Sequence, residues 1–280
     1  MTKLELPPSF RASEHHARVQ VALAACVSAG AALVELRGQP VTSAEQGDQL
    51  KTSVDQAAEG WVLGMLRGTF PADRYLAEEA FELQGQWSGG EAPYWTVDAL
   101  DGTRSYVEGY AGFCVQVAYV VAGTPQLGVV CEPVARRTFA AVRGAGAFCF
   151  DDRGSTRLEL PARGSEWPQP TRFVDSIPPA GEVGRLMQEL NASFVECGSI
   201  GLKVCRIAEG AADVFAKRFR YKLWDIAPGS VVLHEAGGHL GTWQTSAIDY
   251  LSQDIFLPTL LCTPKALWPS AQAALNQLAR

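Results

Sequence analysis

The sequence predicts an α+β / α/β protein in which layers of helix alternate with layers of sheet. Three observations carry that expectation. Apolar residues recur at helical spacing between residues 14 and 36. Strand-like runs then follow one another from 94 to 150 with turn residues between them. Beyond 170, short strand and helix patterns alternate.

Taken in order, the first helix carries Val19, Leu23, Cys26, Leu33 and Val34, with Gly38 and Pro40 as its stop. A second starts near "SVDQ", where Ser53 can cap and Gln56 stands three residues on, and it runs to about Leu66. "RYLAEEA" reads as a short strand with Glu78 and Glu79 at its tip; Glu79 and Glu82 by themselves read as solvated or supporting residues. The runs "YWTVDAL", "FCVQVAYVV", "QLGVVCEP" and "TFAAVRGAGAFCF" are strands, punctuated by Gly123, Pro125 and Gly144. The polar, Pro-rich residues 151–170 form a boundary or a surface hairpin. They separate an N-terminal α+β half, 1–150, from a C-terminal α/β half, 151–280. Strands at 171–175, 193–196 and 212–216 alternate with helices at 181–190 and about 200–209. A helix follows "LWD" from about 226 to 236 and stops at Gly237 and Gly238, and "PSAQAALNQLA" closes as a helix.

The 280 residues are 47% hydrophobic and 19% charged, an ordinary globular composition. A net charge of -6 argues against a nucleic-acid-binding surface, so an anionic ligand would need a local cation. Four scattered histidines point that cation toward oxygen ligands, hence magnesium, manganese or calcium. Seven cysteines without a C-x-x-C pair suit a reducing compartment. "MTKLELPPSF" has no apolar leader core and no run reaches the length of a membrane span. The expectation is a cytoplasmic protein with neither membrane nor nucleic-acid partner.

One strand end is anomalous. "WTVDALDGTRSY" carries good β-formers into Asp98 and then Asp101, and aspartate is poor in strands and costly to bury unpaired. A solvated Asp-Gly hairpin turn is one reading. The other is a bound cation: Asp98 and Asp101 can face the same ion, with the Leu100 carbonyl as a further ligand. Gly102 and Thr103 then offer backbone N–H groups to an anion. Cations on one side and N–H donors on the other suit attack of water on a phosphate monoester.

The same stretch resembles the W-x-x-D-P-I/L-D-G-T signature of the inositol monophosphatase superfamily of lithium-sensitive, magnesium-dependent phosphatases. "LWDIAPGSVVLHEAGG", "LAEEA", "KTSVDQAAE" and "GSIGLKVCRIAEGAADVF" resemble that family's other elements, in its order, across residues 51 to 238. The resemblance implies a layered αβαβα sandwich of the inositol monophosphatase / fructose-1,6-bisphosphatase type and hydrolysis of a small-molecule phosphate monoester. It also implies two to three Mg2+ ions per site, with Mn2+ able to substitute. Carried over residue by residue, Glu78, Asp98 and the Leu100 carbonyl would hold one ion, and Asp98, Asp101 and Asp225 a second. Asp55 and Glu78 would serve a third. Asp55 with Thr103, together with Glu78, would be catalytic. Gly102, Thr103, Gly198, Ser199, Lys203 and Asp225 would bind substrate, and a homodimer is common among relatives.

Ala99 stands for the usual proline, Ala77 for glycine and Ala80 for serine or threonine, but no metal ligand is lost. Pro228 is expected in the first turn of its helix, where proline is tolerated. Within the superfamily, "DGTRSY", Lys203 and "KLWD" are similar to 3′(2′),5′-bisphosphate nucleotidases, with Arg218 or Arg220 as further cations for a second phosphate. Inositol-1-monophosphatase is the alternative, followed by histidinol-phosphate phosphatase. A non-catalytic phosphate-binding protein is disfavoured, because Glu78, Asp98, Asp101 and Asp225 are all present.

Overall fold

The computed structural model describes residues 5–38, 43–46, 49–84, 87–162 and 164–279. Pro40 lies outside these residues, as does the side chain of Glu82. The chain opens with α1 (Pro8–Arg11) and α2 (His16–Leu36), then β1 (Ser43–Gln46), β2 (Gln49–Thr52) and α3 (Ser53–Thr69). Along α2, Val19, Ala22, Leu23, Cys26, Ala29 and Leu33 are buried. At 21 residues and a mean hydropathy of 1.8, α2 is long and apolar enough to cross a membrane, contrary to the sequence expectation. Here that apolarity fills a core against the central sheet. The cap of α3 sits one residue earlier than expected: the Thr52 hydroxyl accepts from Val54 N–H, and Asp55, not Gln56, closes the box.

β3 (Arg74–Ala77) leads directly into α4 (Glu78–Gln84), so Glu78 and Glu79 open a helix rather than end a strand. β4 (Tyr94–Asp101) and the short α5 (Thr103–Val107) follow. Next come β5 (Cys114–Val121), β6 (Thr124–Glu132), β7 (Arg137–Val142), β8 (Gly146–Asp151) and β9 (Gly154–Leu158). β3 to β9 form one seven-stranded sheet in sequence order, antiparallel except for the β3–β4 pair. The polar stretch after 150 therefore supplies an edge hairpin strand of this sheet. Helices cover both sheet faces, which is why β4 is buried along its whole length and reads as nearly continuous apolar sequence.

The remainder runs β10 (Arg172–Asp175), α6 (Gly181–Glu189), β11 (Ser193–Glu196), α7 (Ile200–Ala208), β12 (Phe215–Lys222), α8 (Leu223–Glu235), β13 (Gly238–Gly241), β14 (Phe256–Pro264) and α9 (Trp268–Leu278). Three expectations need correction. The strand expected at 212–216 is β12, later and longer. α8 starts at Leu223, so Pro228 lies well inside the helix rather than in its first turn. β13 and β14 are additional strands, which join β12 in a three-stranded sheet of order β12-β14-β13.

The layers stack as helix, sheet, helix, sheet, helix. α2 and α3 cover one face of the large sheet, α7 and α8 lie between the two sheets, and α6 and α9 cover the small one. α8 is apolar on all sides because both its faces are buried. It approaches the large sheet so closely that a Cβ at Gly128 of β6 would strike the Pro228 carbonyl.

Candidate active site

The acidic residues converge where β4 leaves the sheet. Asp98 pairs with Gln116 and Asp101 with Cys114, and the register shifts between the two pairs. That irregularity re-aims a short run of backbone, carrying Asp98, Leu100 and Asp101 to one crevice. Gly102 then takes the left-handed conformation, φ 96°, which a side chain would resist, and the chain turns into α5 at Thr103. Asp55, Glu78 and Asp225 reach the same crevice, each from the first turn of its own helix.

Each carboxylate is held by named donors. Asp55 Oδ2 accepts from the Thr52 N–H at 2.7 Å and the Thr52 hydroxyl at 2.5 Å. Its Oδ1 accepts from the Thr103 hydroxyl at 2.8 Å. Asp225 Oδ2 accepts from the Lys222 N–H at 2.8 Å, a helix cap that also fixes the carboxylate. Asp101 Oδ2 accepts from the Gly201 N–H at 2.7 Å and lies 3.2 Å from Gln116 Nε2. The Leu100 N–H donates to Asp98 Oδ1 at 3.1 Å, and Gln116 Nε2 lies 3.4 Å from Oδ2. Glu78 Oε1 accepts from Lys222 Nζ at 2.8 Å. The start of α4 is clamped by Glu59, whose two oxygens accept from the Glu79 and Ala80 N–H groups at 2.7 and 2.9 Å.

The electrostatics follow from this crowding. Burial, then the neighbouring Glu78, Asp101 and Asp225, pushes the Asp98 carboxyl well above its ordinary value. Burial, then Glu78 and Asp101, does the same to Asp225. Asp101 is raised by burial against the opposing pull of the Gly201 N–H and Lys203. Asp55 is raised by burial despite its Thr52 and Thr103 hydrogen bonds. Among the described residues no group of three or more metal-ligating side chains closes into a ready cage. The carboxylates instead crowd one crevice, where Lys222 pairs with Glu78 at 2.8 Å and the three buried aspartates Asp98, Asp101 and Asp225 stand close to one another. An all-oxygen set of three aspartates, one glutamate and the Leu100 carbonyl fits a hard divalent cation such as magnesium, which usually keeps several of its waters.

Other expected residues are placed differently. Lys203 is only 3% exposed and does not line the crevice. Its ammonium lies 3.2 Å from Asp175 Oδ1 and donates to Ser176 Oγ at 2.8 Å, with Phe215 beneath it. A buried ammonium needs a carboxylate, and Asp175 supplies one, so Lys203 is paired inside the fold and not placed at the crevice as the substrate contact expected. The Ser199 hydroxyl faces inward: it accepts from Leu202 N–H as the cap of α7 and lies 3.4 Å from Cys114 Sγ. Gly198 lines a neighbouring cavity. Arg218 pairs with Glu182 and lies over Trp243, and Arg220 lies over Phe256. The cations that do line the crevice are Arg104 and Lys222, and Phe219 joins them.

Gln116, Glu59 and Phe219 are site residues the sequence reading missed. Gln116 could have been found from register, as the residue opposite Asp98 on the next strand. Glu59 lies in the "KTSVDQAAE" element, four residues after Asp55 on the same helix face. Phe219 has no local signal.

A family model described as the inositol monophosphatase family matches residues 14–280. Inositol monophosphatase 3 of Solanum lycopersicum is 31% identical over 195 residues, covering 68% of this chain and 72% of that protein. The 3′(2′),5′-bisphosphate nucleotidase CysQ of Salmonella typhimurium is 29% identical over 216 residues, covering 76% and 84%. Among solved structures, an IMPase of Thermotoga maritima superposes with a TM-score of 0.77 at 22% identity, covering 94% of this chain and 98% of that one.

Proposed function

The chain belongs to the inositol monophosphatase family, and from that premise we propose that its crevice removes one phosphate from a nucleoside 3′,5′-bisphosphate. Members of the family are phosphatases that hydrolyse phosphate monoesters, generally with a metal and typically with magnesium. Glu78, Asp98, Asp101, Asp225 and the Leu100 carbonyl would hold two ions, with Asp98 shared, and Asp55 and Glu78 would serve a third. When bound, magnesium supplies positive charge to the phosphoryl oxygens and acidifies water.

The rest is the work of this chain's side chains and backbone. Thr103 and Asp55 orient the attacking water. Its oxygen forms the new bond to phosphorus as the ester bond breaks. One water proton passes through the Thr103 hydroxyl to Asp55, and the leaving alkoxide takes a proton from solvent. The Gly102 and Thr103 N–H groups hold phosphoryl oxygens as charge builds on them.

The observation carrying the substrate is that Arg104 and Lys222 line the same crevice as the carboxylates. A second phosphate needs a cation beyond the metals; of the cations the sequence offers for it, Lys222 of "KLWD" lines the crevice whereas Lys203, Arg218 and Arg220 do not, and Arg104 joins it there. Inositol 1-phosphate is the second reading, favoured by the 31% identity to the Solanum lycopersicum relative. The deciding experiment is phosphate release from adenosine 3′,5′-bisphosphate, inositol 1-phosphate and histidinol phosphate in magnesium. Preference for the bisphosphate supports the proposal; preference for inositol 1-phosphate replaces it. We place the enzyme in the cytoplasm, where its seven unpaired cysteines stay reduced, with its N- and C-terminal halves both contributing to the site.

A further inference from the structure

We propose that Phe219 is the platform on which the planar part of the substrate stacks, so that the crevice favours phosphate esters of nucleosides over those of polyols. The inference rests on the nucleotide reading above and deepens it. β12 pairs with β14 in regular register from Phe215 opposite Cys262 to Arg218 opposite Thr259. The register then slips and resumes at Tyr221 opposite Leu257, leaving Phe219 and Arg220 within the irregularity. A bulge of this kind kinks its strand and re-aims side chains, often beside active sites. Here Arg220 lies over the Phe256 ring, while Phe219 lines the crevice with Lys222 and Asp225.

Phe219 is 43% exposed, whereas the neighbouring Tyr221 is 1% exposed. Leaving a phenyl ring in water forgoes the burial that aromatic side chains usually gain. The ring is held in this position by an edge contact with Tyr221, centroids 5.6 Å apart. The crevice itself encloses about 220 Å³, below the roughly 300 Å³ at which ligand pockets usually begin. The phosphate and its cations fill the acidic inner end, so the alcohol part of the ester extends to the rim, where Phe219 stands. A nucleobase offers a flat π-face to such a ring, and stacking of this type tolerates any base. A polyol offers hydroxyl groups that would lose water against the phenyl.

The test is steady-state hydrolysis of adenosine 3′,5′-bisphosphate and inositol 1-phosphate, in magnesium, by the unaltered enzyme, Phe219→Ala and Phe219→Tyr. Phe219→Ala raises KM for the bisphosphate about tenfold, with kcat held. The ratio of kcat/KM between the two substrates falls by the same factor, and Phe219→Tyr restores it. An unchanged ratio in Phe219→Ala, or an equal loss on both substrates, overturns the role of Phe219 and leaves the nucleotide reading standing. Failure of the unaltered enzyme to cleave the bisphosphate overturns both.

Discussion

The Thr103 hydroxyl donates a 2.8 Å hydrogen bond to Asp55 Oδ1, joining the first residue of α5 to the first turn of α3 across 48 positions of sequence. The other oxygen of Asp55 is already taken by Thr52, so the carboxylate is fixed in orientation from both sides. An acceptor fixed in this way can direct a proton along one path.

Thr103→Ala should therefore lower kcat by about a hundredfold, the lower end of what a positioned proton acceptor contributes, with little change in KM. Thr103→Ser, which keeps the hydroxyl, should recover most of the rate. Steady-state kinetics on both variants decide it; equal rates in the unaltered and alanine enzymes would remove this pair from the reaction.

The crowded carboxyls set a pH dependence on the metal-free protein. Asp98, Asp101, Asp225 and Asp55 all titrate above their ordinary value when folded, so the folded state holds protons that the unfolded chain releases. Their stabilising contribution is present below the ordinary carboxyl range and is lost as pH rises through the folded values. His15, His234 and His239, lowered by burial, act in the opposite sense as pH climbs toward 6.5, but their rings stay partly in solvent. In chelator, Tm should fall as pH rises above the ordinary carboxyl range, and magnesium should abolish the fall. Asp98→Asn should flatten the slope and raise the chelated Tm at pH 8 by about 2–4 °C, the shift that roughly 1 kcal/mol gives. A chelated Tm that rises steadily with pH above that range would show that the crowded aspartates do not repel one another.

Glu59 touches no substrate group in this account; it clamps the N–H groups of Glu79 and Ala80. Glu59→Ala frees the start of α4 and with it Glu78. Calorimetric magnesium titration should find affinity weakened about 10- to 100-fold, as for other residues that orient metal ligands. Unaltered affinity would make the clamp purely structural.

Lys203→Ala should act on folding rather than on substrate. It removes one partner from a buried ion pair while Lys217 still neutralises Asp175, so the cost should lie near the lower end of such losses, about 3 kcal/mol. Urea denaturation measures it. A selective rise in KM for the bisphosphate with stability intact would return Lys203 to the substrate.

Much of this site was legible in the sequence, for local reasons. Asp98 and Asp101 break a run of β-formers, and Asp55 and Asp225 each stand in the first turn of a helix, so their chemistry stands out against their surroundings. What was not legible depends on distant partners. Serine is by type a somewhat better cap than threonine, and only the reach of Asp55 to Thr52 selects Thr52 over Ser53. α8 begins before "LWD" ends because the layers on both its sides bury Leu223 and Trp224, and Asp225 at its third position caps the Lys222 N–H although Lys222 is not a capping residue by type. Lys203 looks like a solvated lysine on its helix; Asp175, from another strand, is what permits its burial. Phe219 owes its exposure to a register slip against β14, a strand that the sequence reading did not find.

The central claim is that the crevice formed by Glu78, Asp98, Asp101 and Asp225 hydrolyses a phosphate monoester through divalent cations, and one measurement bears on it most directly. Phosphate release from adenosine 3′,5′-bisphosphate should be followed in magnesium, in EDTA and after magnesium is restored, for the unaltered enzyme and for Asp98→Asn. Release in magnesium, loss in EDTA, full recovery on restoration, and a rate at least about a hundredfold lower in Asp98→Asn are expected. Release that persists in EDTA, or that survives Asp98→Asn undiminished, would contradict it.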